Sequence, residues 1–249
     1  MTSPERIAYG PHELQYGLLH RAEGVARGTV VLIHGGFWRW NPEYMDGPAG
    51  LADALAARGW DVWRPEYRSV GSDGGWPATL DDVAAAIDHV AELPLAPAEG
   101  PLDRPLVAVG HSAGGHLAVW ATTRESARVP VRAAISLAGV LDLRRGEADD
   151  LGTGAVTGFL GGSFAEHPER YAAADPATRI VRDARIRIVH PLGDDVVPIS
   201  QAHAYLEAAR AAGQDAELAP CEGGHGVVID PAHASFALTL AALDELAAR

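Results

Sequence analysis

Apolar positions along this chain fall into two kinds of pattern. One is the short apolar run, continuous and β-branched in Thr29-Val30-Val31-Leu32-Ile33, with shorter or interrupted runs at 61–64, 107–110, 131–138 and 186–190. A run apolar at every position reads as a strand buried on both faces, the habit of parallel sheets. The other is helical spacing. Residues 48–58 carry Leu51 and Leu55 on one face, with Gly59 as a C-terminal stop. Further helices are predicted over 79–93, 112–124 and 200–213, and from 230 to the C-terminus. Thr79 is expected to cap the helix at 79–93, with Asp81 and Asp82 suiting its dipole, and Asp230-Pro231 to open the last one. Residues 7–19 alternate loosely, as short edge strands would, and 216–219 form a last strand. The proline-rich stretch 94–105 reads as a surface loop. Residues 139–178 are glycine-rich and irregular, suited to a small cover of short helices.

Strands thus alternate with helices throughout. The pattern predicts an α/β fold, a mostly parallel doubly wound sheet with helices on both faces and little or no lid. One domain over 1–249 is the expectation at this length. In such sheets chemistry collects at the carboxyl ends of the strands. His34-Gly35-Gly36, Tyr67, Ser112, Asp194 and His225 each follow a predicted strand.

The most informative of these places is Val107-Ala108-Val109-Gly110-His111-Ser112-Ala113-Gly114-Gly115-His116-Leu117. A strand stops, a serine stands between glycines two residues either side, and a helix-prone run begins. The spacing predicts a sharp strand-to-helix turn with Ser112 strained and exposed at its apex, a nucleophile elbow. A serine hydroxyl needs a base, and the base needs an oriented partner. All 20 basic residues are arginine, so a lysine base is excluded. His225, in Glu222-Gly223-Gly224-His225-Gly226 after the last strand, is the candidate base. Asp194 and the adjacent Asp195 are the candidate acids, with Asp142 as an outside alternative. The order serine, acid, histidine is the one that accompanies the elbow.

Backbone N–H groups can hold the oxyanion of a tetrahedral intermediate. The loop Gly35-Gly36-Phe37 and Ala113, just after the serine, are placed to supply them, Gly36 or Phe37 being the favoured loop donor. Trp38, Trp40, Tyr67 and Trp76 lie in the same loops and are expected to border an apolar or aromatic acyl pocket. His111 and His116 flank the elbow and point away from the serine or onto the helix. His111 is also counted as bordering the pocket, and His34 is assigned to structure around the loop.

Composition narrows the partners. A formal charge of −13 argues against nucleic acid. No apolar run is long enough to span a bilayer, and residues 1–17 lack the pattern of a signal peptide, so a cytoplasmic protein is expected. Cys221 is the only cysteine, which leaves no intrachain disulfide and no multi-cysteine zinc site. No metal and no cofactor are expected. The expected partner is a small ester or amide substrate, with a homodimer left open.

His34-Gly35-Gly36-Phe37-Trp38, Gly110-His111-Ser112-Ala113-Gly114-Gly115, Gly193-Asp194-Asp195-Val196-Val197-Pro198 and Gly223-Gly224-His225, in this order, resemble the α/β-hydrolase superfamily. Within it, His34 to Trp38 is similar to the kynurenine formamidase and small carboxylesterase branch. The resemblance implies a triad of Ser112, Asp194 and His225, with Asp194 preferred from its place four residues ahead of Pro198. It implies an oxyanion hole at Gly35 and Gly36. It also implies metal-free hydrolysis of small esters or activated amides through an acyl-enzyme. The alternatives are a peptidase-like hydrolase, for which no gating domain is present, and a binding protein on the same fold. Haloalkane dehalogenases and epoxide hydrolases carry aspartate where Ser112 stands.

Overall fold

The computed structural model describes residues 3–95 and 104–248; most of the loop expected at 94–105 lies outside them. Eight strands form one sheet in the order β1-β2-β4-β3-β5-β6-β7-β8. β1 (Glu5–Ala8) and β2 (Tyr16–His20) are antiparallel, and β2 pairs antiparallel with β4 (Trp60–Pro65). From β4 onward the ladder is parallel, through β3 (Gly28–Ile33), β5 (Leu106–His111), β6 (Ala133–Leu137), β7 (Arg185–Pro191) and β8 (Asp215–Cys221).

The continuous apolar runs have the expected cause. Along β3, Val31 and Ile33 point into one core and Val30 and Leu32 into the other. α1 (Ala49–Ala56) and α8 (Ser235–Ala247) cover the second face with Leu51, Leu55, Phe236 and Leu243. The first face is covered by α2 (Ala78–Asp88), α3 (Ala113–Trp120) and α7 (Ser200–Ala212). Over it lie the short α4 (Leu143–Ala148), α5 (Ala155–Leu160) and α6 (Pro168–Ala174), the cover expected from 139–178.

Two caps differ from expectation. α2 starts at Ala78, and Thr79 Oγ1 instead donates to the Arg68 carbonyl at 2.6 Å while accepting from the Gly75 N–H. Of the two acids expected to suit the dipole, Asp81 lies in the first turn of α2, whereas Asp82 is buried and forked against Arg68. Asp230 closes a local turn onto the Ala232 N–H, and α8 begins only at Ser235. A polar side chain next to a helical run serves whichever backbone group is nearest, and here these are loop groups.

The strand order fixes where a site can form. From β3 the chain turns to β4 on one side, then crosses back to place β5 on the other. Such a switch point opens a crevice at the carboxyl ends of β3 and β5. The His34 loop leaves β3 there, and Ser112 leaves β5.

Candidate active site

Ser112 sits at φ 56°, ψ −122°, immediately before α3. A non-glycine residue in that region is strained, and such strain persists only where the surroundings enforce it. Here Ser112 N–H donates to the Leu137 carbonyl of β6 at 2.9 Å. Glycine is required at the next position but one. A Cβ on Gly114 would lie 2.1 Å from the Ile33 carbonyl oxygen and 2.4 Å from that of His34. Helix α3 can therefore approach the end of β3 only without a side chain there. Gly114→Ala is expected to cost about 1–3 kcal/mol of stability or more, read as a lower urea midpoint; an unchanged midpoint would contradict this packing.

One expectation is corrected at the elbow. Ser112 is not projecting into solvent but only 3% exposed. The reason is Gly35, whose α-carbon region packs directly on it: a Cβ there would lie 3.0 Å from Ser112 Cβ and 2.9 Å from the His111 carbonyl. Ser112 Oγ has no hydrogen-bond partner among the described residues.

The loop after β3 curls through three consecutive left-handed residues, Gly36 (φ 115°), Phe37 (φ 53°) and Trp38 (φ 55°). Among the described residues, the N–H groups of Gly35, Gly36, Phe37 and Ala113 donate to no acceptor. Unsatisfied donors beside a strained serine are what an anion of developing charge requires. The loop is braced from β4. His34 Nε2 reaches Glu66 Oε1 at 3.0 Å and its Nδ1 the Gly35 carbonyl at 2.8 Å. Tyr67 stacks on the His34 ring at 4.3 Å and donates its hydroxyl to the His34 carbonyl. Glu66 escaped the sequence reading; the one signal it leaves is a carboxylate directly after a buried strand.

Asp194 and His225 meet from the loops after β7 and β8. His225 Nδ1 lies 2.8 Å from Asp194 Oδ2. Asp194 Oδ1 accepts from the Val196 and Val197 N–H groups at 3.0 and 2.8 Å. Burial pushes this carboxyl up, but the hydrogen bonds from His225 and from the Val197 and Val196 N–H groups outweigh it, and the group sits below the ordinary range of an aspartate. It therefore stays ionised beside the imidazole. His225 Nε2 is left without a partner among the described residues. Of the rival acids, Asp195 is exposed, and Asp142 accepts from the Arg145 N–H at the start of α4. His111 closes the arrangement. Its Nε2 lies 3.1 Å from the His225 carbonyl, and the two rings stand 4.6 Å apart.

The residues expected to border a pocket are placed differently. Trp38 is buried, because its indole N–H donates to His116 Nδ1 at 3.1 Å and its ring stacks on Phe159 at 4.9 Å. His116 in turn reaches the Ala174 carbonyl, and burial pushes it down to about 4. This buried group ties the cover to α3. Tyr67 is buried as the brace of His34. Trp40 is half-exposed, on a bridge between Arg39 and Val70. Trp76 lines a hollow of about 220 Å³ with Trp120, Arg124 and Arg179, at the end of α3 opposite Ser112. His111 alone of the five lies against the candidate base.

A model of the BD-FAE family, an α/β-hydrolase esterase family, matches residues 19–208. The chain belongs to the BD-FAE family. The matched stretch carries Ser112 and Asp194; His225 lies beyond it. Among curated proteins, this BD-FAE chain is similar to Esterase LipC of Mycobacterium tuberculosis, at 30% identity over 201 residues. That match covers 74% of the chain and 48% of the esterase, so the chain spans about half the length of the relative. Among solved structures it resembles a truncated carbohydrate esterase from gut microbiota, with a TM-score of 0.81, 21% identity, and 100% and 97% of the two chains covered. The apo form of Thermogutta terrifontis esterase 2 aligns with a TM-score of 0.75 and 24% identity, over 98% and 94% of the chains. These likenesses show the α/β-hydrolase fold. No described helix is long and apolar enough to cross a membrane.

Proposed function

We propose that this BD-FAE chain is a serine hydrolase that cleaves small carboxylic esters through an acyl-enzyme on Ser112. The observation that carries the reading is the 2.8 Å contact between Asp194 and His225, in a loop that touches the residue next to Ser112. Ser112 Oγ attacks the ester carbonyl as His225 Nε2 takes its proton. Asp194 holds the imidazole with Nδ1 protonated and steadies the cation that forms. The negative oxygen of the tetrahedral intermediate is received by the free N–H groups of the Gly35-to-Phe37 loop and Ala113. His225 then returns the proton to the leaving alcohol. Water repeats the sequence on the acyl-enzyme. The step requires Ser112 Oγ to close onto His225, and such contacts commonly tighten only when substrate binds.

Esters lead the reading because the family and the curated relative are esterases. Formamide cleavage rests on His34 to Trp38 alone. Rates on p-nitrophenyl acetate, p-nitrophenyl butyrate, an aryl carboxylate ester and N-formylkynurenine test the assignment. Turnover of the short esters is expected, with the formamide slower. Turnover of the formamide alone would move the chain to amide chemistry, and no turnover of any would overturn the hydrolase reading.

A further inference from the structure

The segment that carries His225 opens a single 3-10 turn over His225–Ile229, tied to α8 by the Ser235 hydroxyl on the Val227 carbonyl, and none of these bonds reaches the turn that carries Ser112. It reads Gly223-Gly224-His225-Gly226, and Gly223 adopts φ 102°. Behind the histidine, the Gly193 N–H reaches the Gly223 carbonyl at 3.2 Å. That bond, and the ring contact to Asp194, both refer His225 to the loop after β7. Neither refers it to the turn that carries Ser112. Yet the spacing between Ser112 and His225 is the quantity the proposed proton transfer depends on, and misplacement by 1 Å can cost about 100-fold in rate.

His111 supplies the missing reference. It precedes Ser112 in the chain, and its Nε2 lies 3.1 Å from the His225 carbonyl oxygen. A carbonyl only accepts, so Nε2 carries the hydrogen and donates it. We propose that His111 is a positioning residue that latches the His225 loop to the nucleophile turn through this bond; the inference rests on the hydrolase reading above. His225 is then held at both ends, its ring by Asp194 and its main chain by His111. Because the latch belongs to the residue adjoining Ser112, movement of the turn carries the base with it.

The charge state of His111 suits the task. Burial, then the neighbouring His225, push it down to about 4, so it is neutral near neutral pH. The two rings stand 4.6 Å apart. A cation at that range would oppose the imidazolium that His225 becomes during reaction. A neutral donor holds the loop without that repulsion.

Three substitutions separate the latch from simple packing. The amide nitrogen of His111→Gln falls where Nε2 stands and keeps a donor. The amide of His111→Asn falls at the Nδ1 position and does not reach. His111→Leu fills space and donates nothing. The full-length variants are compared by kcat and KM on p-nitrophenyl acetate, and by the low-field proton resonance of the Asp194–His225 hydrogen bond. Asn and Leu are expected to lower kcat by about 10- to 100-fold with KM little changed and the resonance broadened, whereas Gln recovers most of the rate and the sharp resonance. Asn and Leu variants at the wild-type rate, or a Gln variant as slow as Asn, would overturn the latch. If the Leu variant does not fold, the pair of amides still decides it. Failure of the wild type to hydrolyse any ester would sink the hydrolase reading instead, and the resonance would then report on the latch alone: loss in Asn with retention in Gln supports it, and equal behaviour overturns it.

Discussion

Ser112→Ala is expected to abolish turnover of p-nitrophenyl acetate, with kcat falling by about 10⁶-fold. The reasoning runs from the elbow outward. The hydroxyl is the one group in the crevice that stands at a strained turn, at the N-terminus of α3, and beside four unpartnered N–H groups. Alanine removes the nucleophile and leaves those donors and the Asp194–His225 pair in place. A residual acceleration over water of about 10³–10⁴ is then what oriented binding and the oxyanion donors supply by themselves. Ser112 Oγ makes no hydrogen bond among the described residues, so its loss costs the fold nothing comparable, and the thermal midpoint is expected to stay close to wild type. A variant with substantial activity would show that another group attacks the ester.

Asp194→Asn is expected to lower kcat by about 10⁴-fold while the protein stays folded. The geometry dictates how. Asp194 Oδ1 holds the Val196 and Val197 N–H groups, and Oδ2 faces His225. In the variant, the amide oxygen must stay with the two N–H donors, since a buried N–H left unpaired is costly. The amide NH₂ is therefore turned to His225 Nδ1, where it donates. His225 is driven into the tautomer that carries hydrogen on Nε2, and in that form it cannot accept the serine proton. Asp195→Asn is the matched control. That side chain is exposed, and its variant is expected to turn over at the wild-type rate. Equal losses at the two positions would contradict the assignment of the acid.

Much of this was legible in the chain. The apolar runs gave β3 to β7 to within a few residues because a strand covered on both faces is largely apolar, although β4 also buries Asp61 and Arg64 and β7 buries Arg187 and His190. The elbow was legible because its glycines answer to a geometric demand and stand between a strand-like run and a helix-prone one. The choice between Asp194 and Asp195 was not carried by the residues themselves. Two adjacent aspartates in a short loop differ only in which way each side chain points, and that depends on the Val196 and Val197 N–H groups. The tryptophans misled for a related reason. Large aromatics in loops near a site can serve substrate or packing equally well. Trp38 was committed to packing by a partner one turn along α3, His116, which no local spacing ties to it. Glu66 and the His111 contact were invisible because each joins residues far apart in sequence, 32 positions for His34 with Glu66 and 114 for His111 with His225.

The most direct measurement is covalent labelling by a fluorophosphonate, read by intact mass and peptide mapping. Such a reagent traps only a serine that its own surroundings have made nucleophilic. The account predicts a single adduct on the peptide carrying Ser112, with no adduct on Ser112→Ala and much slower labelling of Asp194→Asn. An unlabelled wild-type chain, or an adduct on any other residue, would contradict it.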